Sequence, residues 1–181
     1  MYMNKCVRGS SNLCMGCRTC LIACVEAHSK RPVYELKPDE INFNPKLHMI
    51  KTYDITVPFQ CRHCENPDCL RACSKNAIYI EDGSVLIDLD KCDGCGDCVS
   101  ACPFDAIDLK PYDERTDENG NALCLANKCD MCKGVEGGPA CVRVCPTGAL
   151  KVVETSEIVE TAEEKRAREL FRTSLQNGER S

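Results

Sequence analysis

Short apolar runs recur along the chain, each set a few residues after a group of cysteines. The runs are Ala77-Ile78-Tyr79-Ile80, Ala106-Ile107-Asp108-Leu109 and Ala149-Leu150-Lys151-Val152-Val153. At this length, and bounded by polar segments, they predict strands. Two of them open hairpins. Glu81-Asp82-Gly83-Ser84 separates Ile78–Ile80 from Val85-Leu86-Ile87, and an Asp-Gly pair is a strong tight-turn signal. Glu118-Asn119-Gly120-Asn121 does the same between Ile107–Leu109 and Ala122–Leu125, with a longer polar tip. A further strand is predicted at Leu47–Val57, where Leu47, Met49, Tyr53, Ile55 and Val57 alternate with polar neighbours and Ile50 and Lys51 break the pattern. The pattern turns helical near the end. Thr161-Ala162-Glu163-Glu164 fits a capping box, Ala167, Leu170, Phe171 and Ser174 share one face, and Glu164 with Arg168 forms an i,i+4 pair. This C-terminal helix, within residues 161–181, ends near Asn177-Gly178. It either packs back on its own domain or serves as an arm for a partner. The fold class is therefore α+β.

Composition changes this picture in one respect. Of 181 residues, 43% are hydrophobic, but that figure includes 18 cysteines, and there is no Trp, five Tyr and four Phe. So thin a core needs internal staples, which metal ligation supplies by making binding free energy into folding free energy. The iron-free chain is accordingly expected to be largely unfolded. No apolar stretch approaches the roughly 18 residues of a membrane span. A net charge of −5 and the absence of a Lys/Arg cluster argue against nucleic acid. Met1-Tyr2-Met3-Asn4-Lys5-Cys6 lacks the features of a secretion signal. The expectation is a soluble, cytoplasmic protein or subunit.

The cysteines carry the chemistry. Sixteen form four quartets: Cys14-x2-Cys17-x2-Cys20-x3-Cys24, Cys61-x2-Cys64-x4-Cys69-x3-Cys73, Cys92-x2-Cys95-x2-Cys98-x3-Cys102-Pro103 and Cys129-x2-Cys132-x8-Cys141-x3-Cys145-Pro146. Three thiolates on one loop and a fourth three residues on is the bacterial ferredoxin run, in which the fourth cysteine serves the other cluster of a pair. Zinc sites use two separated pairs instead, and disulfide frameworks show scattered spacing. No quartet has lost a ligand, so four [4Fe–4S] clusters are expected. Gly16, Gly94 and Gly96 lie inside the loops, where a missing Cβ permits close approach.

Spacing suggests which quartets pair. Eighteen residues separate Cys73 from Cys92, twenty-six separate Cys102 from Cys129, and thirty-six separate Cys24 from Cys61. One hairpin bridges the shortest gap, so the second and third quartets form an inner module, and the first and fourth pair around it. The four sites are then Cys14, Cys17, Cys20 with Cys145; Cys129, Cys132, Cys141 with Cys24; Cys61, Cys64, Cys69 with Cys102; and Cys92, Cys95, Cys98 with Cys73. The expected organisation is two bacterial-ferredoxin-like two-cluster modules. Residues 1–54 and 112–160 form the outer one, 55–111 the inner one inserted in it, and 161–181 the helix. The alternative pairs the first quartet with the second and the third with the fourth.

Other residues invite smaller roles. His63 lies within a complete quartet, so a hydrogen bond or solvent contact is expected rather than ligation. His28 is expected at the surface, His48 on the polar face of its strand, and Cys6 and Cys124 as buried spare thiols. Asp93, Asp97 and Asp105 make the third quartet acidic. No nucleophile–base pair, phosphate loop or open metal site appears, so no catalytic centre is expected.

With its x4 gap in the second quartet and x8 gap in the fourth, the chain resembles the four-cluster electron-transfer subunits of molybdenum or tungsten oxidoreductase complexes. These include subunits of formate dehydrogenase, dimethyl sulfoxide reductase and formate hydrogenlyase. Cys14-Met-Gly-Cys17-Arg-Thr-Cys20, Cys61-Arg-His-Cys64-Glu, Asn127-Lys-Cys-Asp-Met-Cys132 and Gly138-Pro-Ala-Cys-Val-Arg-Val-Cys-Pro-Thr147 look most like the formate hydrogenlyase and hydrogen-dependent carbon dioxide reductase branch. Ser74 stands where that family usually has proline, which alters a turn but removes no ligand. The resemblance implies a non-catalytic subunit passing single electrons between a formate dehydrogenase catalytic subunit and a hydrogenase or another iron–sulfur subunit. It also implies self-association into filaments through Thr161–Gln176. Competing readings are a subunit of an aldehyde oxidoreductase or carbon monoxide dehydrogenase complex, and a cluster-binding maturation accessory.

Overall fold

A computed structural model describes residues 4–154 together with 169–170. Its described part is a small mixed helix-and-strand protein built from four two-stranded antiparallel ribbons and four short helices. Strand β1 (Lys5–Gly9) pairs with β8 (Leu150–Glu154), so the first described strand joins the last. Between them come α1 (Thr19–His28), the β2–β3 ribbon (His48–Lys51, Thr56–Phe59) and α2 (Asp68–Ala72). The β4–β5 hairpin (Ile78–Glu81, Ser84–Ile87), α3 (Asp97–Ala101), the β6–β7 hairpin (Asp108–Thr116, Ala122–Asn127) and α4 (Ala140–Arg143) follow.

The local chemistry explains the turns. Asp82 and Gly83 have φ of 49° and 73°, the left-handed pair that lets a two-residue loop follow the twist of its strands. At the β6–β7 tip the Asp117 carboxylate accepts from the amides of Asn119 (2.8 Å) and Asn121 (2.9 Å), closing the loop on itself. The predicted strand over Leu47–Val57 is instead a hairpin. Thr52 and Ile55 close its turn, with the Thr52 amide donating to the Ile55 carbonyl at 2.8 Å and the Ile55 amide donating to Thr52 Oγ1 at 3.1 Å. Tyr53 stands fully in solvent at its tip. The broken alternation at Ile50 and Lys51 marks where the first strand runs out.

Two apolar clusters lie where the short helices meet. One packs Ile78, Val85, Ile107, Leu125 and Ala126 against Cys69, Cys92 and Cys98. The other packs Val7, Leu47 and Leu150 against Cys20, Cys24 and Cys141. Strand β1 also lies close to β3: a Cβ at Gly9 would meet the Pro58 carbonyl oxygen at 2.5 Å, and Gln60 Nε2 donates to the Val7 carbonyl at 2.8 Å. No helix among the described residues is long and apolar enough to cross a membrane. Of the predicted C-terminal helix only Glu169 and Leu170 are described, both helical and exposed; its capping box and apolar face lie outside the described residues.

Candidate metal centre

Each quartet is built the same way. Its third and fourth cysteines lie four residues apart on or beside one short helix: Cys20 and Cys24 on α1, Cys69 and Cys73 at α2, Cys98 and Cys102 at α3, Cys141 and Cys145 at α4. Residues four apart fall on one helix face, so each helix offers sulfurs one turn apart. The preceding cysteines lie on loops bent by left-handed residues, among them Gly16 (φ 72°), His63 (48°), Gly94 (77°) and Met131 (60°). At Gly94 only glycine fits, because a Cβ would meet the Cys124 carbonyl oxygen at 2.1 Å.

The folded chain brings thiols of different quartets together. Cys69 feels the charge of Cys61, Cys64 and Cys102. Cys98 feels Cys92, Cys73 and Cys95. Cys141 feels Cys24, Cys132 and Cys20. Cys20 feels Cys14 and Cys17, and Cys17 feels Cys145. Between groups, Cys129 lies within reach of Cys61. None of the eighteen cysteines is in a disulfide.

Burial is the main influence on these thiols. It pushes Cys69 up to about 12, helped by neighbouring cysteines and opposed by Lys128. It does the same to Cys141, also to about 12, and to Cys20 and Cys98, to about 11. Cys129 is driven up further still by the same burial. Buried thiolates in such groups need a positive centre beside them. Backbone amides meanwhile turn toward the sulfurs: Lys46 N donates to Cys24 at 3.2 Å, His63 N to Cys61 at 3.4 Å, Ala106 N to Cys102 at 3.4 Å and Ala140 N to Cys132 at 3.5 Å. An all-thiolate donor set with amide donors aimed at sulfur fits an iron–sulfur cluster. Electron acceptance and donation is the chemistry that group supplies.

The remaining sequence candidates resolve differently. His28, expected merely at the surface, is tied by both ring nitrogens: Nδ1 to the Cys24 carbonyl at 2.7 Å and Nε2 to Asp130 at 3.0 Å. Burial opposes charge on this ring, but the bonds to Asp130 and Cys24 outweigh it and raise His28 to about 10. Asp130 also pairs with Lys46 at 3.3 Å. His48 lies 3.4 Å from Asp108. His63 makes a hydrogen bond, as one of its two expected roles had it, but away from solvent: its ring is completely buried. Cys6 is a buried spare thiol, pushed up to about 11 by burial. Cys124 is exposed, contrary to expectation, because its strand turns Leu125 into the core and leaves the neighbouring side chain facing out. Asp93 is ion-paired with Lys75 at 3.0 Å, which offsets part of the third quartet's acidity. Sequence reasoning passed over Lys128 altogether; a buried lysine carries no signal in a sequence until its neighbours are known.

Comparison with known proteins decides the lineage. Residues 52–155 match the family described as a 4Fe-4S dicluster domain. The chain belongs to this ferredoxin-like family. It is 36% identical over 172 residues to the electron transport protein HydN of Escherichia coli (strain K12), covering 92% of this chain and 97% of that protein. It is 33% identical over 188 residues to formate hydrogenlyase subunit 2 of the same strain, covering 91% and 89%. A solved structure of the active site complex BamBC of benzoyl coenzyme A reductase with benzoyl-CoA aligns over 95% of this chain and 91% of that one, at 26% identity and a TM-score of 0.40. The chain is thus a [4Fe–4S] protein related to an electron transport protein and to a formate hydrogenlyase subunit.

Proposed function

We propose that the chain holds four [4Fe–4S] clusters and relays single electrons between a catalytic subunit and a second redox partner, without a catalytic centre of its own. The sites are Cys14, Cys17, Cys20 with Cys145; Cys129, Cys132, Cys141 with Cys24; Cys61, Cys64, Cys69 with Cys102; and Cys92, Cys95, Cys98 with Cys73. They fall in two modules, an outer one of residues 1–54 and 112–160 and an inner one of 55–111. The observation that supports this reading is the coupling between thiols of different quartets. Cys61 of one site acts electrostatically on Cys129 of another, and Cys20 on Cys141, while Cys17 and Cys95 are exposed. Such coupling suits the passage of charge from site to site and out at an exposed thiol.

The partners in this reading are a molybdenum or tungsten formate dehydrogenase on one side and a hydrogenase or another iron–sulfur subunit on the other, in keeping with one relative being an electron transport protein and another a formate hydrogenlyase subunit. Exposed Leu13 and Met15 beside Cys17 suit docking at that end. A cytoplasmic location suits eighteen unpaired thiols. Anaerobic purification of the tagged chain from its own cells is the test. Recovery of a complex with a large catalytic subunit, whose formate addition bleaches the visible absorption of this chain, is the expected result. A free monomer that formate does not reduce would reject it.

A further inference from the structure

The backbone of Val85, opposite Ile80 in the β4–β5 hairpin, is held by two buried side chains from different quartets. Its N–H donates to His63 Nδ1 at 3.0 Å, and its carbonyl accepts from Lys128 Nζ. His63 comes from the second quartet's loop, and Lys128 immediately precedes the fourth's. Lys128 Nζ also donates to the Cys129 carbonyl at 2.7 Å, and only 3% of the residue is exposed. Its ammonium acts on Cys69 of one thiol group and on Cys129 of the next, opposing part of the rise that burial causes in both. It therefore stands at the joint between the second quartet and the fourth, bonded to the Cys129 backbone and acting on Cys69.

The His63 ring completes the joint. Because Nδ1 accepts a hydrogen bond, the neutral ring carries its proton on Nε2. That nitrogen is buried and has no acceptor among the described residues. An unmet buried donor is destabilising, so its partner belongs to what the site holds when loaded. The charged groups acting on the ring are Lys128 and Asp130, the latter in the fourth quartet's loop.

We propose that His63 and Lys128 are positioning residues of the central electron step. They pin the second and fourth quartets' loops to one strand edge. His63 Nε2–H donates to a sulfur at the joint, and the Lys128 charge raises the potential of the two central clusters. This rests on the four-site reading above. The step is one electron lost on one side of the joint and one gained on the other, supplied and removed by the redox partners, with no bond or proton moved. Added negative charge is stabilised by a nearby cation and by a hydrogen bond to sulfur, so both residues favour the reduced state.

The test is an EPR-monitored redox titration of the full, anaerobically loaded chain. Lys128→Met and His63→Leu should each shift one or both central midpoints to lower potential and leave the outer two unchanged, while Lys128→Arg stays nearer the parent. Full iron with no shift, or an equal shift at all four centres, overturns the proposal. Where a variant fails to load, the parent decides. Because His28 Nδ1 lies 3.9 Å from Cys24 Sγ, isotopically labelled histidine should produce a nitrogen coupling on a reduced centre's signal that persists in His28→Gln; absence of such a persisting coupling overturns the proposal. A parent that itself holds far fewer than four clusters rejects the underlying reading instead.

Discussion

Gly94 shows how little room the loops allow. Its φ of 77° and the 2.1 Å approach of the Cys124 carbonyl to an added Cβ leave no place for a side chain. Gly94→Ala should cost at least ~1–3 kcal/mol from backbone strain alone, and more from the clash. We expect a lower melting temperature and poor iron uptake at the third quartet; a variant with parental melting and iron content would contradict this. Sharing of cysteines is tested at the same scale. Cys102→Ala and Cys64→Ala should alter the same EPR-visible centre, and Cys95→Ala a different one. A change common to Cys102→Ala and Cys95→Ala would mean that each quartet serves itself. Spacing made the cysteines legible from sequence. His63 and Lys128 were not legible in their roles, because a histidine between two ligands looks alike whether it faces water or the interior.

At the scale of elements, the strands most visible in sequence were those with their own turn chemistry. Asp82-Gly83 specified the β4–β5 hairpin, and the polar tip around Gly120 specified β6–β7. Strand β1 was hidden, since Lys5-Cys6-Val7-Arg8-Gly9 gains its meaning only from β8, which lies far along the chain. The β2–β3 turn was hidden because Tyr53-Asp54 sits inside an alternation that reads through it. The helices are too short to stand alone: α2 and α3 have five residues each and α4 has four, below the dozen or so an isolated helix needs. Cysteines lie among their buried contacts, so the elements depend on what the thiols hold. Removing iron anaerobically with a chelator should abolish the cooperative melt and most helical circular dichroism. An iron-free sample that still melts cooperatively would show that the apolar clusters suffice.

At the scale of the whole molecule, Cys17 and Cys95 are exposed while His63 and Lys128 are buried. On the proposed function, the exposed surface around Cys17, Leu13 and Met15 docks a redox partner. Met15→Asp should weaken binding of one redox partner by about tenfold, the equivalent of ~1.4 kcal/mol, without changing iron content; unchanged partner affinity would place the contact elsewhere. We propose that the C-terminal segment mediates self-association, so deleting residues 161–181 should reduce assembly size in light scattering while leaving the visible spectrum intact. Unchanged size would reject that role. The central claim is that four thiol groups each hold a cube. Metal and sulfide analysis of the anaerobically purified chain tests it most directly: about sixteen iron and sixteen sulfide per chain are predicted, and eight or fewer of each would contradict it.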